Sequence, residues 1–280
     1  MDLGHQLVSG ELKEERTRAW IDYLRVNPQA QVFCFRGGDR SRISCQWISD
    51  AGIPRQRLPG GYKRLRQFLL SWLDEAPLPN LLRIGGPTGA GKTLLLGELS
   101  DALDLEALAN HRGSAFGDRG PQPAQATFEN HIAGALIEQK TLTVEDESVH
   151  IGRLRLPRRF YQAMQAAPLV VVRIPLEERI RNIFQDYVRA DRAEFFISGI
   201  DKIARRLGGE RHARLATLIR EAFEAPLELA AHESWIRVLL EEYYDPMYEQ
   251  TLARQSHLIR FQGGAQEVLA HVAQLRGRAS

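Results

Sequence analysis

The sequence predicts an α/β protein built on a parallel sheet with helices on both faces and a helical insertion ahead of the last strand. Three observations carry this. Short apolar runs at 81–85, 103–105, 141–144, 169–174 and 258–261 alternate with longer stretches of helical spacing, the pattern of βαβ units. The first of these runs passes directly into G-x-x-x-x-G-K-T and then into a helical pattern. Residues 176–256 are almost wholly helical in spacing, so they read as an insertion.

Ahead of that sheet lies a smaller region. Residues 11–26 carry apolar positions at helical spacing (Leu12, Ala19, Leu24 and Val26), with Trp20 and Tyr23 beside them. Asn27-Pro28 breaks the helix. Residues 31–35 form a short β-rich run, a Gly- and Arg-rich loop follows, and 41–51 read as a helix ended by Gly52. A second turn, LPGGYK, precedes a helical run over 65–73. APLPN at 76–80 has two prolines in five positions and is the best linker in the chain. It divides a first domain, 1–75, from a second, 78–280, whose insertion spans about 176–256.

The chain has 280 residues, 44% hydrophobic and 26% charged, the composition of a soluble globular protein. No apolar run approaches the roughly 18 residues that span a membrane. MDLGHQLVSGELKEER lacks the basic and apolar regions of a secretory signal. Two cysteines argue against a disulfide framework and for a reducing compartment. The expected location is the cytoplasm. The net charge is +2, but 151–220 hold 15 Lys and Arg against 7 Asp and Glu, followed by an acidic stretch over 221–250. A basic segment of this kind attracts RNA through its phosphates; solvated helix faces are the plain alternative.

Gly86-Pro87-Thr88-Gly89-Ala90-Gly91-Lys92-Thr93 is a phosphate-binding P-loop in its required strand-to-helix context. Gly86, Gly89 and Gly91 let backbone N–H groups turn around a phosphate. Lys92 adds a full positive charge, and the Thr93 hydroxyl is a ligand for Mg²⁺ if the metal is bound. The motif names the phosphate and not what is attached to it. Such loops pair with an acidic residue at the end of another strand. Asp146 is the first choice and Glu145 the second, since strand alternation is not readable to one residue; a helix-capping carboxylate is the alternative.

Cys34 stands where the 31–35 run ends, before Arg36, Gly37, Gly38 and Arg40. Converging N–H groups, a helix start at Ser41 and the two arginines are expected to lower its pKa, with Gly37-Gly38 closing the backbone around the sulfur or a bound anion. Cys45 lies within the next helix and reads as a buried hydrophobe. Cys34 and Arg40 form C-x5-R, a spacing shared by rhodanese-like sulfur carriers and cysteine phosphatases. LPGGYKRLRQFL at 58–69 resembles the closing segment of rhodanese domains.

Both loops in this order, together with LDLEALANHRGSAFG (103–117), FENHIAGAL (128–136) and VEDESVHIGRLRLP (144–157), resemble the tRNA 2-selenouridine synthase family over nearly the whole chain. The resemblance implies a partial rhodanese-like α/β domain joined to a P-loop domain, and a transferase acting on the wobble uridine of tRNA. It implies that a geranyl group passes from geranyl diphosphate to the sulfur of 2-thiouridine. Selenium from selenophosphate, supplied by selenophosphate synthetase, then replaces that sulfur. No firmly bound cofactor is expected, and Mg²⁺ is left open. Cys34 would carry or deliver selenium, and Lys92 and Asp146 would serve the P-loop chemistry. His111, Arg112 and Ser114 would bind diphosphate or base, and Phe116 would line a prenyl site. Arg153, Arg155, Arg158 and Arg159 are the leading tRNA contacts, with Arg205 and Arg206 behind them. The family's Asp-Val-Arg-type opening segment has no counterpart here, which implies a less stable 1–74 and impaired selenation. Two other readings stand beside this one: a P-loop kinase or ATPase with a degenerate rhodanese appendage, and a non-catalytic tRNA-binding remnant.

Overall fold

A computed structural model describes residues 8–189 and 191–277. The chain divides between Glu75 and Ala76 into two compact units.

Among the described residues the first unit holds helices α1 (Gly10–Val26), α2 (Asp39–Asp50) and α3 (Gly61–Glu75). Ile21, Leu24, Cys45, Ile48 and Leu73 are its buried apolar residues, and Trp20 stacks on Trp47 at 6.3 Å. The strand expected over 31–35 is reduced to a single parallel bridge between Val32 and Arg57. The reason lies in where its carbonyls go. Leu58 donates to Val32, Tyr62 to Cys34 and Lys63 to Phe35, so the LPGGYK turn takes the hydrogen bonds that a neighbouring strand would take.

The second unit holds β1 (Asn80–Gly85), α4 (Lys92–Gly97), β2 (Ala102–Leu103), α5 (Leu105–Ala109), α6 (Gln125–Glu138) and β3 (Thr141–Glu145). A hairpin, β4 (His150–Ile151) and β5 (Leu154–Arg155), leads to α7 (Arg158–Ala166) and β6 (Leu169–Val172). The helical insertion follows as α8 (Leu176–Tyr187), α9 (Ala193–Lys202), α10 (Ala204–Leu207), α11 (Gly209–Glu224), α12 (Leu229–Leu239), a π turn (Leu240–Tyr244) and α13 (Asp245–Arg254). Strand β7 (Ile259–Gly263) and helix α14 (Ala265–Gly277) close the unit. Among the described residues no helix is long and apolar enough to cross a membrane.

The sheet is parallel throughout, in the order β2-β3-β1-β6-β7. Val170 and Val172 pack with Leu95, Leu96, Val268 and Val272 on one face, while Leu169 and Val171 pack with Leu252 on the other. The period-2 alternation of a buried strand thus covers both faces with helices. The second expected strand ends early, because Leu105 opens α5 behind Asp104, whose carboxylate caps the Ala107 N–H at 2.7 Å. The hairpin had no sequence signal, since two-residue strands show no alternation. The insertion has its own core around Phe196, Ile200, Leu215, Ile219 and Trp235. Central β1 sits where the chain turns to β3 on one side and β6 on the other, the position at which open α/β sheets bind ligands beyond their carboxyl ends.

Candidate active site

The P-loop leaves the end of β1 into α4. Gly89 and Gly91 hold φ of 81° and 77°, in the left-handed region that side chains disfavour, and a Cβ on Gly89 would meet the Arg179 carbonyl at 2.9 Å. Lys92 Nζ donates to the Gly86 carbonyl at 3.1 Å. Helix α8 braces the loop from outside: Arg179 donates to the Thr88 carbonyl at 2.8 Å and Asn182 to the Gly89 carbonyl at 2.9 Å. Arg179 is itself buried and paired with Asp245. Neither brace had a local signal in the sequence.

The acidic partner of the loop is Glu145, not Asp146. Thr93 Oγ1 donates to Glu145 Oε1 at 2.9 Å, and Glu145 is fully buried at the end of β3. Asp146 pairs at 2.7 Å with the fully buried Arg83, which also reaches Gln255 Oε1 at 3.0 Å and the Ala167 carbonyl. Successive residues on a strand face opposite ways, so a one-residue difference decides which carboxylate faces the phosphate loop. Asp146 is therefore a structural ion-pair partner here.

A cavity of about 390 Å³ opens over the loop, lined by Gly89–Leu94, Glu106, Arg112, Ser114, Glu147, Tyr187 and Tyr244 among others. Glu106 and Glu147 were invisible in the sequence, because they come from α5 and from the loop after β3. Burial, first, and the neighbouring carboxylates, next, push Glu106, Glu145 and Glu147 well above the usual carboxylate range, while Lys92 pulls each back down.

The 111–117 loop does reach this cavity. The Arg112 guanidinium lies 4.2 Å from the centre of the Tyr187 ring and 3.7 Å from Asp186. Ser114 Oγ accepts from the Phe116 N–H at 3.2 Å. Phe116 packs into the insertion core against Phe196. It also lines an apolar recess with Thr88, Ile183, Tyr187, Trp235 and Tyr244. His111 is turned to the loop itself, its Nδ1 accepting from the Gly113 N–H at 3.1 Å, and burial lowers its pKa. It is not among the residues lining the cavity.

The arginines separate into two kinds. Arg153 donates to the Gln122 carbonyl at 2.5 Å and Arg159 to the Ala76 carbonyl, so both secure the backbone. Arg155, Arg158, Arg205 and Arg206 are exposed.

In the first unit, Cys34 Sγ lies 3.3 Å from Ser41 Oγ, at the start of α2. The Ser41 hydroxyl also reaches the Gly38 carbonyl at 3.0 Å, so its one proton has two acceptors and turns to the sulfur once the thiol ionises. The thiol pKa is lowered to about 6, by the Ser41 hydroxyl first and then by backbone N–H groups, against a smaller desolvation effect. The arginine side chains expected to lower it are not the cause; the N–H of Arg36 is a minor one. Phe35, Arg36, Gly38, Asp39 and Arg40 form the recess around the sulfur. Of the glycine pair, Gly38 reaches the sulfur through its backbone, while Gly37 stands at φ 68°. It permits close approach to the next turn: a Cβ there would stand 2.9 Å from the Gly60 and Gly61 nitrogens. Cys45 is buried and burial raises its pKa.

A family model described as the tRNA 2-selenouridine synthase AAA domain matches residues 79–278. Curated relatives named tRNA 2-selenouridine synthase match nearly the whole chain. The protein of Pseudomonas syringae pv. syringae is 41% identical over 298 residues, covering 97% of this chain and 81% of the relative. That of Ectopseudomonas mendocina is 42% identical over 304 residues, covering 99% and 82%. That of Shewanella sediminis is 40% identical over 290 residues, covering 94% and 79%. No solved structure matches significantly.

Proposed function

Since the chain belongs to the tRNA 2-selenouridine synthase family, we propose that it is a transferase acting on wobble 2-thiouridine of tRNA, with geranyl diphosphate and selenophosphate as co-substrates. In the first reaction the thiouridine sulfur attacks C1 of the geranyl group. The C–O bond breaks, diphosphate leaves, and the N3 proton is lost. Lys92 and the N–H groups of Gly89–Thr93 stabilise the charge that builds on the departing oxygens, the role of preorganised donors in other transfer reactions. In the second reaction the selenium of selenophosphate adds at C2 of the base and expels the geranyl thiolate, and water then cleaves the Se–P bond and releases phosphate. Cys34, its thiol pKa lowered to about 6, directs this delivery without forming a bond to selenium.

One observation carries the prenyl part of this reading: the phosphate cavity and the apolar recess share Thr88, Ser114, Ile183, Tyr187 and Tyr244. A ligand with its diphosphate on the P-loop therefore has an apolar wall behind it. The recess measures about 30 Å³, so a ten-carbon tail enters only as the tyrosines swing aside. The π turn that carries Tyr244 is a frequent feature of functional segments.

The test is mass analysis of the wobble nucleoside after incubating thiolated tRNA with geranyl diphosphate, with and without selenophosphate. The expected products are the geranylated nucleoside with the first donor alone and the selenonucleoside with both. Phosphoryl transfer from a nucleotide, with neither product, would overturn the reading. Cys34→Ser is expected to leave geranylation intact and remove selenation.

A further inference from the structure

The phosphate cavity gathers three carboxyl groups beside the loop that would hold an anion. One carboxylate oxygen each from Glu106, Glu145 and Glu147 lies within 4.8 Å of the other two. Glu145 is fully buried. Its Oε1 is bound to Thr93, while its Oε2 is buried with no hydrogen-bond partner. A buried carboxylate oxygen left without a donor is strongly unfavourable, so this atom calls for a ligand.

The surrounding backbone leaves room for one. A Cβ on Gly113 would stand 2.7 Å from Glu147 Oε2 and 3.2 Å from Glu106 Oε1, so the 111–117 loop closes against the cluster without filling it. Of the basic side chains at the cavity, Arg112 is engaged by Tyr187 and Asp186, and Arg119 is exposed. Lys92 is the basic group that acts on all three carboxylates. Three carboxyl groups converging beside one lysine are the oxygen-rich surroundings that a divalent cation takes.

The geometry points to a divalent-cation site formed by Glu106, Glu145 and Glu147 and organised by the protein before any phosphate binds. Oxygen ligands of this kind suit Mg²⁺ or Mn²⁺. Phosphate-loop enzymes usually hold their cation through one or two carboxylates plus the substrate phosphates. Here three carboxylates converge from α5, the end of β3 and the loop behind it. The inference deepens the reading of the same cavity, for the cation would offset repulsion between the cluster and a diphosphate. It does not depend on the prenyl tail.

The experiment is titration of the purified full chain with Mn²⁺, with no phosphate ligand present, reading free Mn²⁺ by electron paramagnetic resonance. The expected result is one saturable Mn²⁺ per chain, displaced by Mg²⁺. Glu106→Gln and Glu147→Gln should each weaken it at least about tenfold, the lower end of the effect expected when groups that support a metal site are changed. Glu210→Gln, at an exposed position on α11 of the insertion, should leave it unchanged. A measurement on the wild type covers the case in which a variant misfolds: Fe²⁺ bound in the site, with ascorbate and peroxide, should cleave the backbone near 106, 113 and 147. Absence of saturable binding, binding indifferent to both Gln variants, or cleavage confined to other segments would each overturn the site. Because no prenyl diphosphate is present, none of these failures touches the geranylation reading.

Discussion

The two units make their reactive centres in different ways. In the first, the Cys34 loop is held largely by backbone: the carbonyls of residues 32, 34 and 35 take N–H groups from residues 58, 62 and 63, over a modest apolar core. In the second, the phosphate loop stands at the end of a central strand and is braced by α8 side chains, with fully buried Glu145 behind it. The half-buried Cys34 obtains its low pKa from one hydroxyl and nearby N–H groups. The buried cavity instead concentrates charges that depend on one another. Local hydrogen bonds suffice to tune a single thiol, whereas a diphosphate centre needs a scaffold able to hold several charges out of water.

The largest expected effect removes Lys92, the basic group that acts on all three carboxylates of the second centre. Lys92→Ala should lower geranylation by on the order of 100-fold or more, by analogy with other lost electrostatic stabilisers. It should leave the alkylation profile of Cys34 unchanged. Single-turnover nucleoside analysis and iodoacetamide labelling measure the two. Unchanged geranylation would break the comparison by showing that the phosphate loop is not the site of leaving-group stabilisation.

Next comes the interlock of the first unit. Gly61 has φ 60°, and a Cβ there would run into the Cys34 carbonyl. Gly61→Ala should strain this turn by at least about 1–3 kcal/mol and release the loop. The midpoint of Cys34 alkylation should then move from about 6 toward the ordinary thiol value of about 8.5. Geranylation, whose groups lie in the other unit, should persist. A retained midpoint near 6 would mean that the turn does not hold the thiol's environment.

The same contrast explains what was legible beforehand. The phosphate loop could be read because eight contiguous residues with their flanking strand and helix contain the whole device. The parallel sheet was legible because short apolar runs, β6 buried on both faces among them, alternate with stretches of helical spacing. Glu106 and Glu147 were not, since nothing local marks two carboxylates that meet only when α5 and the loop after β3 fold together. Asp146 and Glu145 were confused because strand alternation was unresolved by one residue. Residues 31–35 look like a strand by composition, yet their carbonyls are claimed by a turn that no propensity describes. Cys34 was singled out by the loop around it, but its main tuning partner, Ser41, had been read only as a helix start.

The smallest expected effect isolates that partner. If the Ser41 hydroxyl is the largest contributor to the Cys34 shift, Ser41→Ala should raise the thiol pKa without disturbing the Gly60–Gly61 turn. The sign follows from which form is favoured: a donated hydrogen bond stabilises the thiolate, so losing it favours the thiol. In the wild type, alkylation should be half-maximal near pH 6 and about tenfold below its plateau one pH unit lower, as thiolate reactivity requires. In Ser41→Ala the midpoint should shift upward, slowing the reaction between pH 5 and 7. The two curves should converge above pH 9, where both sulfurs are ionised. Because the backbone N–H contributions remain, the shift should be smaller than that of Gly61→Ala. An equal or larger shift would show that the side chain, and not the backbone interlock, is what holds this first centre together.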